Sequence, residues 1–374
     1  MSVPTKTTWP IKNHTRVKHE ILKEYLKAWV PILGQTNPRI VYIDGFSGPG
    51  VYEEEEPGSP TISLQCGLMH ADVISEMTFM FIEKREDRIN KLESHIADFE
   101  IPPHFNISVV QGKFEGEIES VLNHLNDQGL KLAPTFAFVD PFGFKGLPIN
   151  LLHRILEHRS TEVFTNIQVD SVNRWKDHTK EKIREHVQQL FGGEIPVPKD
   201  QNARMHDHLR DVYKDRLGEQ AEFVRSFRML DSTDRPLYDL FFASNNDRGH
   251  EEMKKAMWNV DPSGNFRFSD AVDGGQTVLF DEEPAPQLLD NMLDKYGNRG
   301  RIRAGEIERW VLDETAFLRK HKTKALEKGE EEGAFYVEDT KTTGEKRHSG
   351  FPAEVVIDFS RPGDAAYEQG DFFE

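Results

Sequence analysis

Apolar residues along the chain fall into two spacings. Short runs rich in β-branched and aromatic residues occupy 40–43, 77–82, 106–110, 135–139 and 162–168, and each reads as a buried strand. Between them, apolar positions recur every three or four residues, as helices packed on a sheet require. Val17, Ile21, Leu22, Tyr25, Leu26, Trp29 and Val30 predict a helix over 15–33, stopped by Pro31 and Gly34. Ser59 as a cap with Pro60 in the first turn predicts the next helix, and Ile89, Leu92 and Ile96 mark the one after the second strand. Further helices are predicted over 147–158 and 250–257, and a helical insert over about 171–220 is broken at Gly192-Gly193. Two alternating runs, 223–229 and 237–243, flank the turn at 231–236 and predict an antiparallel hairpin. Residues 1–270 therefore read as one open α/β domain.

After Asp270 the texture changes. Gly274, Gly275, Pro284 and Pro286 among acidic residues mark a linker over 271–287. Helical patterns at 288–296, 302–312 and 316–326 precede strand-like runs at 334–337 and 354–359, joined by a polar loop with Lys341, Lys346, Arg347 and His348. Helices followed by a basic-tipped hairpin predict a winged helix-turn-helix over 288–360, and a small docking or dimerising domain is the other reading. Residues 361–374 read as a disordered acidic tail.

Charge sharpens this division. The 374 residues carry a formal net charge of −17, which on average repels a polyanion, so any nucleic-acid contact needs a local basic patch. Arg319, Lys320, Lys322 and Lys324 in the third C-terminal helix form such a stripe. Arg174, Lys176, Lys180, Lys182 and Arg184 in the insert alternate with Asp177, Glu181 and Glu185, which favours salt-bridged solvation. The single cysteine, Cys66, lies in an apolar pattern and reads as a core filler, excluding a disulfide framework and a cysteine-clustered zinc site. With no membrane-length run and no N-terminal apolar segment, a cytoplasmic protein is expected.

The candidate chemistry lies where strands end. After the first strand comes Asp44-Gly-Phe-Ser-Gly-Pro-Gly50, whose glycines let backbone approach a ligand and whose carboxylate can accept a hydrogen bond from an ammonium or hydroxyl. Its Asp-x-Phe-x-Gly-x-Gly order differs from the dinucleotide fingerprint. Glu83 closes the second strand, a position from which an acidic residue accepts from both ribose hydroxyls. The separation from the turn exceeds the usual ~20 residues, and the acidic stretch Glu53 to Glu56 accounts for part of the excess. After the third strand come Gln111 and Phe114, which a resemblance to the corresponding turn of methyltransferases implies would reach an adenine amino group and pack on its ring. After the fourth stands Asp140-Pro-Phe-Gly143, followed by Phe144.

The first of these turns resembles the opening motif of class I S-adenosylmethionine-dependent methyltransferases. Asp140-Pro-Phe-Gly143 partly resembles the [Asp/Asn]-Pro-Pro-[Tyr/Phe] motif of amino-methyltransferases, with Phe142 in place of the second proline and Gly143 in place of the aromatic residue. Together with Gly58-Ser-Pro60, Phe81-Ile-Glu83 and Ala243-Ser244 before Lys254-Lys-Ala-Met257, these motifs resemble the bacterial three-Cys-motif partner family over about residues 9–359. That resemblance implies a Rossmann-like class I methyltransferase sheet with an antiparallel terminal hairpin and a small C-terminal winged helix. It further implies S-adenosylmethionine as cofactor, held by Asp44, Gly45, Phe46, Gly48, Gly50, Glu83, Gln111 and Asp140. A three-Cys-motif protein resembling radical S-adenosylmethionine enzymes is the implied partner.

The expected reaction is methyl transfer to an amino nitrogen of a nucleic-acid base. Asp140 and the Pro141 carbonyl would accept the amine's hydrogens, and Phe142 or Phe144 would stack on the flipped base. Two rivals stand beside it: a non-catalytic module that docks a partner or DNA, and a nuclease with Asp44, Glu53 to Glu56, Glu83 and Asp140 around Mg²⁺. The whole reading requires Asp44, Glu83 and Asp140 to converge on one hollow.

Overall fold

The computed structural model describes residues 4–143, 147–168, 172–173, 181–198, 200, 204–262, 266–269, 284–338 and 350–363. The chain divides into two units, the first comprising residues 1–261 and 266–277, the second 262–265 and 278–374.

In the first unit, strands β1 (Ile40–Asp44), β2 (Met77–Glu83), β3 (Phe105–Gln111), β4 (Thr135–Val139) and β5 (Thr161–Ile167) alternate with helices. Strands β6 (Phe223–Leu230), β7 (Pro236–Ser244) and β8 (Arg267–Ser269) complete a sheet of order β3-β2-β1-β4-β5-β7-β6-β8. β1 to β5 run parallel, β7 is antiparallel to β5, and β6 is antiparallel to β7. This is a Rossmann-like α/β sheet. The carboxyl ends of β1 and β4, the two strands at the centre of the parallel part, lie where the strand order reverses, the position at which such sheets bind ligands.

The two faces of the sheet are chemically different. Alternate residues send Tyr42, Phe136, Phe138, Phe164 and Phe242 to one side, where Tyr25 and Trp29 of helix α1 (Asn13–Gly34) meet them ring to ring. The other side carries Ile43, Ala137, Val139 and Val163 under α4 (Phe114–Asp127) and α5 (Ile149–Leu156). Helices α6 (Glu181–Phe191) and α7 (Met205–Gly218) extend that aliphatic layer through Val187, Leu190, Leu209 and Tyr213. Two more helices, α2 (Ser59–Met69) and α3 (Glu86–Ile96), follow β1 and β2, and α8 (Asp247–Val260) follows β7.

Helix α1 runs through Pro31, against the sequence expectation that Pro31 ends it. Proline forfeits only its own backbone donor and a single bond one turn back. The buried side chains of Tyr25, Trp29 and Val30 hold the turn in place.

The second unit comprises α9 (Pro284–Tyr296), β9 (Arg301–Arg303), α10 (Ala304–Glu314), α11 (Arg319–Glu331), β10 (Tyr336–Val337) and β11 (Val356–Asp358). Its strands form an antiparallel sheet of order β10-β11-β9, and Leu288, Met292, Ile307, Val311 and Leu326 of its helices are buried. Ile302, expected at the start of a helix, instead pairs with Ile357, and the helix begins two residues later. Residues 271–283 of the expected linker and the basic loop tip lie outside the described residues, whereas Pro284 to Gln287, expected as linker, form the first turn of α9, where proline forfeits no intrahelical donor. Among the described residues no helix is long and apolar enough to cross a membrane.

Candidate functional site

The turn after β1 is pinned at both sides by backbone. Gly45 N–H donates to the Phe138 carbonyl of β4 (2.9 Å), and Ser47 donates through N–H (3.0 Å) and Oγ (3.2 Å) to the Ile82 carbonyl of β2. Gly48 and Gly50 adopt φ of +63° and +78°, the left-handed region that glycine enters without a Cβ penalty. Gly50's carbonyl then accepts from Gly58 N–H (2.8 Å) and Thr61 Oγ1 (2.5 Å), closing the acidic loop and starting α2.

Beside this turn a cavity of about 390 Å³ opens at the carboxyl ends of β1, β2 and β3. Gly45 and Phe46, Glu83 and Lys84, and Gly112 to Glu115 form its walls, with Leu147, Pro148, His186 and Gln189 from the α5 and α6 side. The Phe46 and Phe114 rings meet at 5.9 Å and supply an apolar wall. Glu83 is buried, and its Oε1 accepts from the N–H groups of Lys84 (2.7 Å) and Arg85 (2.8 Å). Oε2 is left with Arg88 Nη1 at 3.8 Å. One carboxylate oxygen thus anchors the turn and the other stays open to a hydroxyl donor.

Asp44 and Asp140 are not on that wall. They gather instead around Lys18 of α1. The Lys18 ammonium donates to Asp140 Oδ2, and Asn166 of β5 donates through Nδ2 to Asp140 Oδ1. Asp44 is fully buried; Oδ1 accepts from Phe46 N–H (3.2 Å) and, among the described residues, Oδ2 has no hydrogen-bond partner. Burial pushes its carboxyl up to about 7, with Asp140 raising it further and Ser59, the Phe46 amide and Lys18 opposing. Burial, reinforced by Asp140 and Asp44, also raises the Tyr52 phenol. His19 stands 5.7 Å from the Tyr52 ring, and burial, with Lys18 adding to it, lowers its imidazole to about 3, so it is neutral near pH 7.

The segment before α1 straps across this region. Arg88 Nη2 holds the carbonyl of Pro4 (2.7 Å), Thr7 Oγ1 donates to Asp87 (2.6 Å), and Glu53 N–H donates to the Trp9 carbonyl (3.1 Å). The Trp9 ring faces the Arg88 guanidinium at 4.6 Å and meets the edges of Tyr52 (5.5 Å) and Phe142 (6.0 Å). Phe142 is 36 % exposed.

The expected convergence of Asp44, Glu83 and Asp140 on one hollow is not met, because the Lys18 ammonium and Asn166 draw Asp140 away from the cavity wall, and the expected residues separate into two groups. Gly45, Phe46 and Glu83 line the cavity, whereas Asp44, Asp140 and Phe142 belong to the Lys18 and Trp9 cluster. Gly48, Gly50 and Pro141 shape the connecting loops, and Gln111, exposed at the end of β3, is not on the cavity wall. Phe144 lies outside the described residues. Asn166, Trp9 and Tyr52 are additions from the structure, and Lys18, which with His19 could face a ligand but reads more readily as part of a solvated helix face, is buried instead. A buried lysine inside an amphipathic pattern was the one available signal, and a solvated helix face is the commoner reading of it.

The acidic loop is engaged by bases: Glu53 pairs with Lys6, Glu55 with Lys91 and Glu56 with Arg16. Among the described residues no group of three or more His, Cys, Asp or Glu side chains gathers for a metal.

On α11, Lys322 corrects its expected role. It is buried, its ammonium bonding Glu308 Oε2 (2.6 Å) and the Phe351 carbonyl (3.4 Å), so it braces the fold and is withheld from a phosphate. Arg319 shares Glu308 (3.0 Å), while Lys320 and Lys324 are exposed.

No family model matches the chain, and no curated protein matches it. Solved structures similar to it include Trm1 from Pyrococcus horikoshii in complex with S-adenosyl-L-methionine (11% identity, TM-score 0.35, 68% of this chain and 61% of that one). Human methyltransferase-like protein 13 with SAH is similar at 10% identity and TM-score 0.36, over 66% of this chain and 91% of that one. The O-methyltransferase from Bacillus cereus with SAH is similar at 12% identity and TM-score 0.33, over 63% of this chain and 92% of that one.

Proposed function

We propose that this chain is an S-adenosylmethionine-dependent methyltransferase whose acceptor is an amino nitrogen of a nucleic-acid base. The observation that carries the cofactor is the cavity between Phe46, Glu83 and Phe114; the adjoining residue Asp44 keeps a buried oxygen with no hydrogen-bond partner among the described residues. An adenine suits the apolar wall, Glu83 Oε2 suits ribose hydroxyls, and the orphan Asp44 Oδ2 suits a cationic ammonium or sulfonium. When bound, S-adenosylmethionine supplies a methyl group activated by its sulfonium.

The chain's own residues then align and desolvate. Asp140 and the Pro141 carbonyl accept the hydrogens of the acceptor amine, and Phe142 with Trp9 offers aromatic faces to a flat base. In the second unit, the helix-strand-helix-helix-strand-strand order supports the winged-helix reading, with Arg319, Lys320 and Lys324 as its phosphate contacts. A three-Cys-motif protein is the proposed partner.

A second reading, a non-catalytic module, is favoured by one observation: both Asp140 oxygens are already engaged by Lys18 and Asn166. Calorimetric titration of folded wild type with S-adenosylmethionine should give saturable heat with Kd of roughly 1–100 μM. Absence of heat removes the methyltransferase reading. Heat without transfer of labelled methyl to any DNA or RNA, alone or with the partner present, selects the module.

A further inference from the structure

We infer that Arg88 is a positioning residue for the cofactor, shared between Glu83 and the strap of chain before α1, so that seating the strap keeps one Glu83 oxygen open for the ribose. This rests on the methyltransferase reading. Glu83 lines the cavity, and Arg88 Nη1 lies 3.8 Å from its Oε2, beyond hydrogen-bond reach yet near enough for a small turn of the guanidinium to close the gap. The strap holds the guanidinium off. Nη2 donates to the carbonyls of Pro4 (2.7 Å) and Lys6 (3.3 Å), and the Trp9 ring faces the guanidinium at 4.6 Å. Arg88 is only 2 % exposed, so it must keep partners of this kind.

The same groups have two arrangements. With the strap seated, the Pro4 and Lys6 carbonyls occupy Arg88, and Glu83 Oε2 is open to a hydroxyl donor. With the strap lifted, Arg88 loses both carbonyls and the ring and turns to the carboxylate beside it. A direct charge-assisted pair then takes the oxygen that the ribose needs. A second tie runs from the cavity wall to the strap: Glu83 Oε1 accepts from Arg85 N–H (2.8 Å), and Arg85 Nη1 donates to the same Pro4 carbonyl (3.1 Å). Because ribose hydroxyls and Arg88 compete for one oxygen, cofactor binding and strap seating favour each other by the same factor.

The test reads the strap in the full chain. Endoproteinase Lys-C cuts the Lys6–Thr7 bond, whose carbonyl Arg88 holds, so the rate of that cut, followed by mass spectrometry, reports how often the strap lifts. Saturating S-adenosylmethionine should slow it about fivefold or more. Glu83→Gln keeps the Oε1 acceptor and removes the charge that competes for Arg88, so it should slow the cut even without cofactor. A Glu83 that merely braced the fold would speed it, and a cut unchanged or faster in Glu83→Gln overturns the inference. Affinity gives the reciprocal measurement. Thr7→Ala with Trp9→Ala loosens the strap and should weaken S-adenosylmethionine binding about fivefold in calorimetry, and adding Arg88→Met should restore most of that loss. An equal loss with and without Arg88→Met also overturns it. If S-adenosylmethionine binds but leaves the wild-type cut at its former rate, the inference fails and the methyltransferase reading stands. If none binds, both fail.

Discussion

The Lys18 ammonium on the first helix bonds the Asp140 carboxylate after the fourth strand, across 122 residues of chain. Removing one partner of a buried pair strands the other, whereas removing both does not. Because the Asp140 side chain is 20 % exposed, Lys18→Met should cost about 1–3 kcal/mol in urea unfolding, less than a fully buried pair. Lys18→Met combined with Asp140→Asn should recover part of that loss. An additive double variant would show that the two side chains do not act as a pair.

Glu83 divides its carboxylate between the fold and the cavity. Glu83→Ala should weaken S-adenosylmethionine binding tenfold or more, roughly the 1.4 kcal/mol or greater expected for a lost ribose contact. The same change unties two backbone amides and should lower stability by about 1–2 kcal/mol. Calorimetry and thermal melting on one sample separate the two effects.

Asp44 links pH to both stability and binding. Its carboxyl rises from 3.8 to about 7 in the fold, so between those values the native state holds a proton that the unfolded chain has lost. Stability from this group is present at low pH and declines as pH rises toward 7. From pH 4.5 to 7.5 the wild type should therefore lose on the order of 2–4 kcal/mol relative to Asp44→Asn in urea midpoints. A cationic cofactor selects the ionised carboxylate, so its affinity should climb from pH 6 to 8. A flat profile would place the cofactor's charge elsewhere.

Gly58 allows the acidic loop to close. A Cβ at this position would stand 2.8 Å from the Gly50 carbonyl oxygen, a backbone atom that cannot rotate away. Gly58→Ala should cost about 1–3 kcal/mol and weaken cofactor binding through the displaced turn. Gly116→Ala, at an open position inside α4, is the control: it should leave binding unchanged and raise stability by about 0.5–1 kcal/mol through helix propensity.

The C-terminal helix separates structure from recognition. Lys322→Ala should destabilise the second unit by about 1–3 kcal/mol, since it strips Glu308 and the Phe351 carbonyl of a buried donor. Lys320→Ala and Lys324→Ala should leave the melt unchanged and lower the salt slope of DNA binding by about one each. A melt shifted equally by all three would remove the distinction.

Strands β1, β2, β4 and β5 were legible because a strand inside the sheet must be a short, largely apolar run, and edge strand β3 because its β-branched residues are clustered, properties of neighbouring residues. The turn after Asp44 and the carboxylate of Glu83 were legible for the same reason: glycine spacing and a charge at a strand's end are local. Burial of a cation is different. Lys18 sits in a pattern that reads as a solvated helix face and Lys322 in a stripe that reads as a phosphate-binding one, and only Asp140, 122 residues away, and Glu308, on the preceding helix, turn them inward. Tertiary structure likewise parted the three expected carboxylates, leaving Glu83 on the cavity wall and drawing Asp44 and Asp140 toward Lys18. Local spacing determined the sheet and the positions of its loops. Which charges meet depended on distances through space that no run of neighbouring residues encodes.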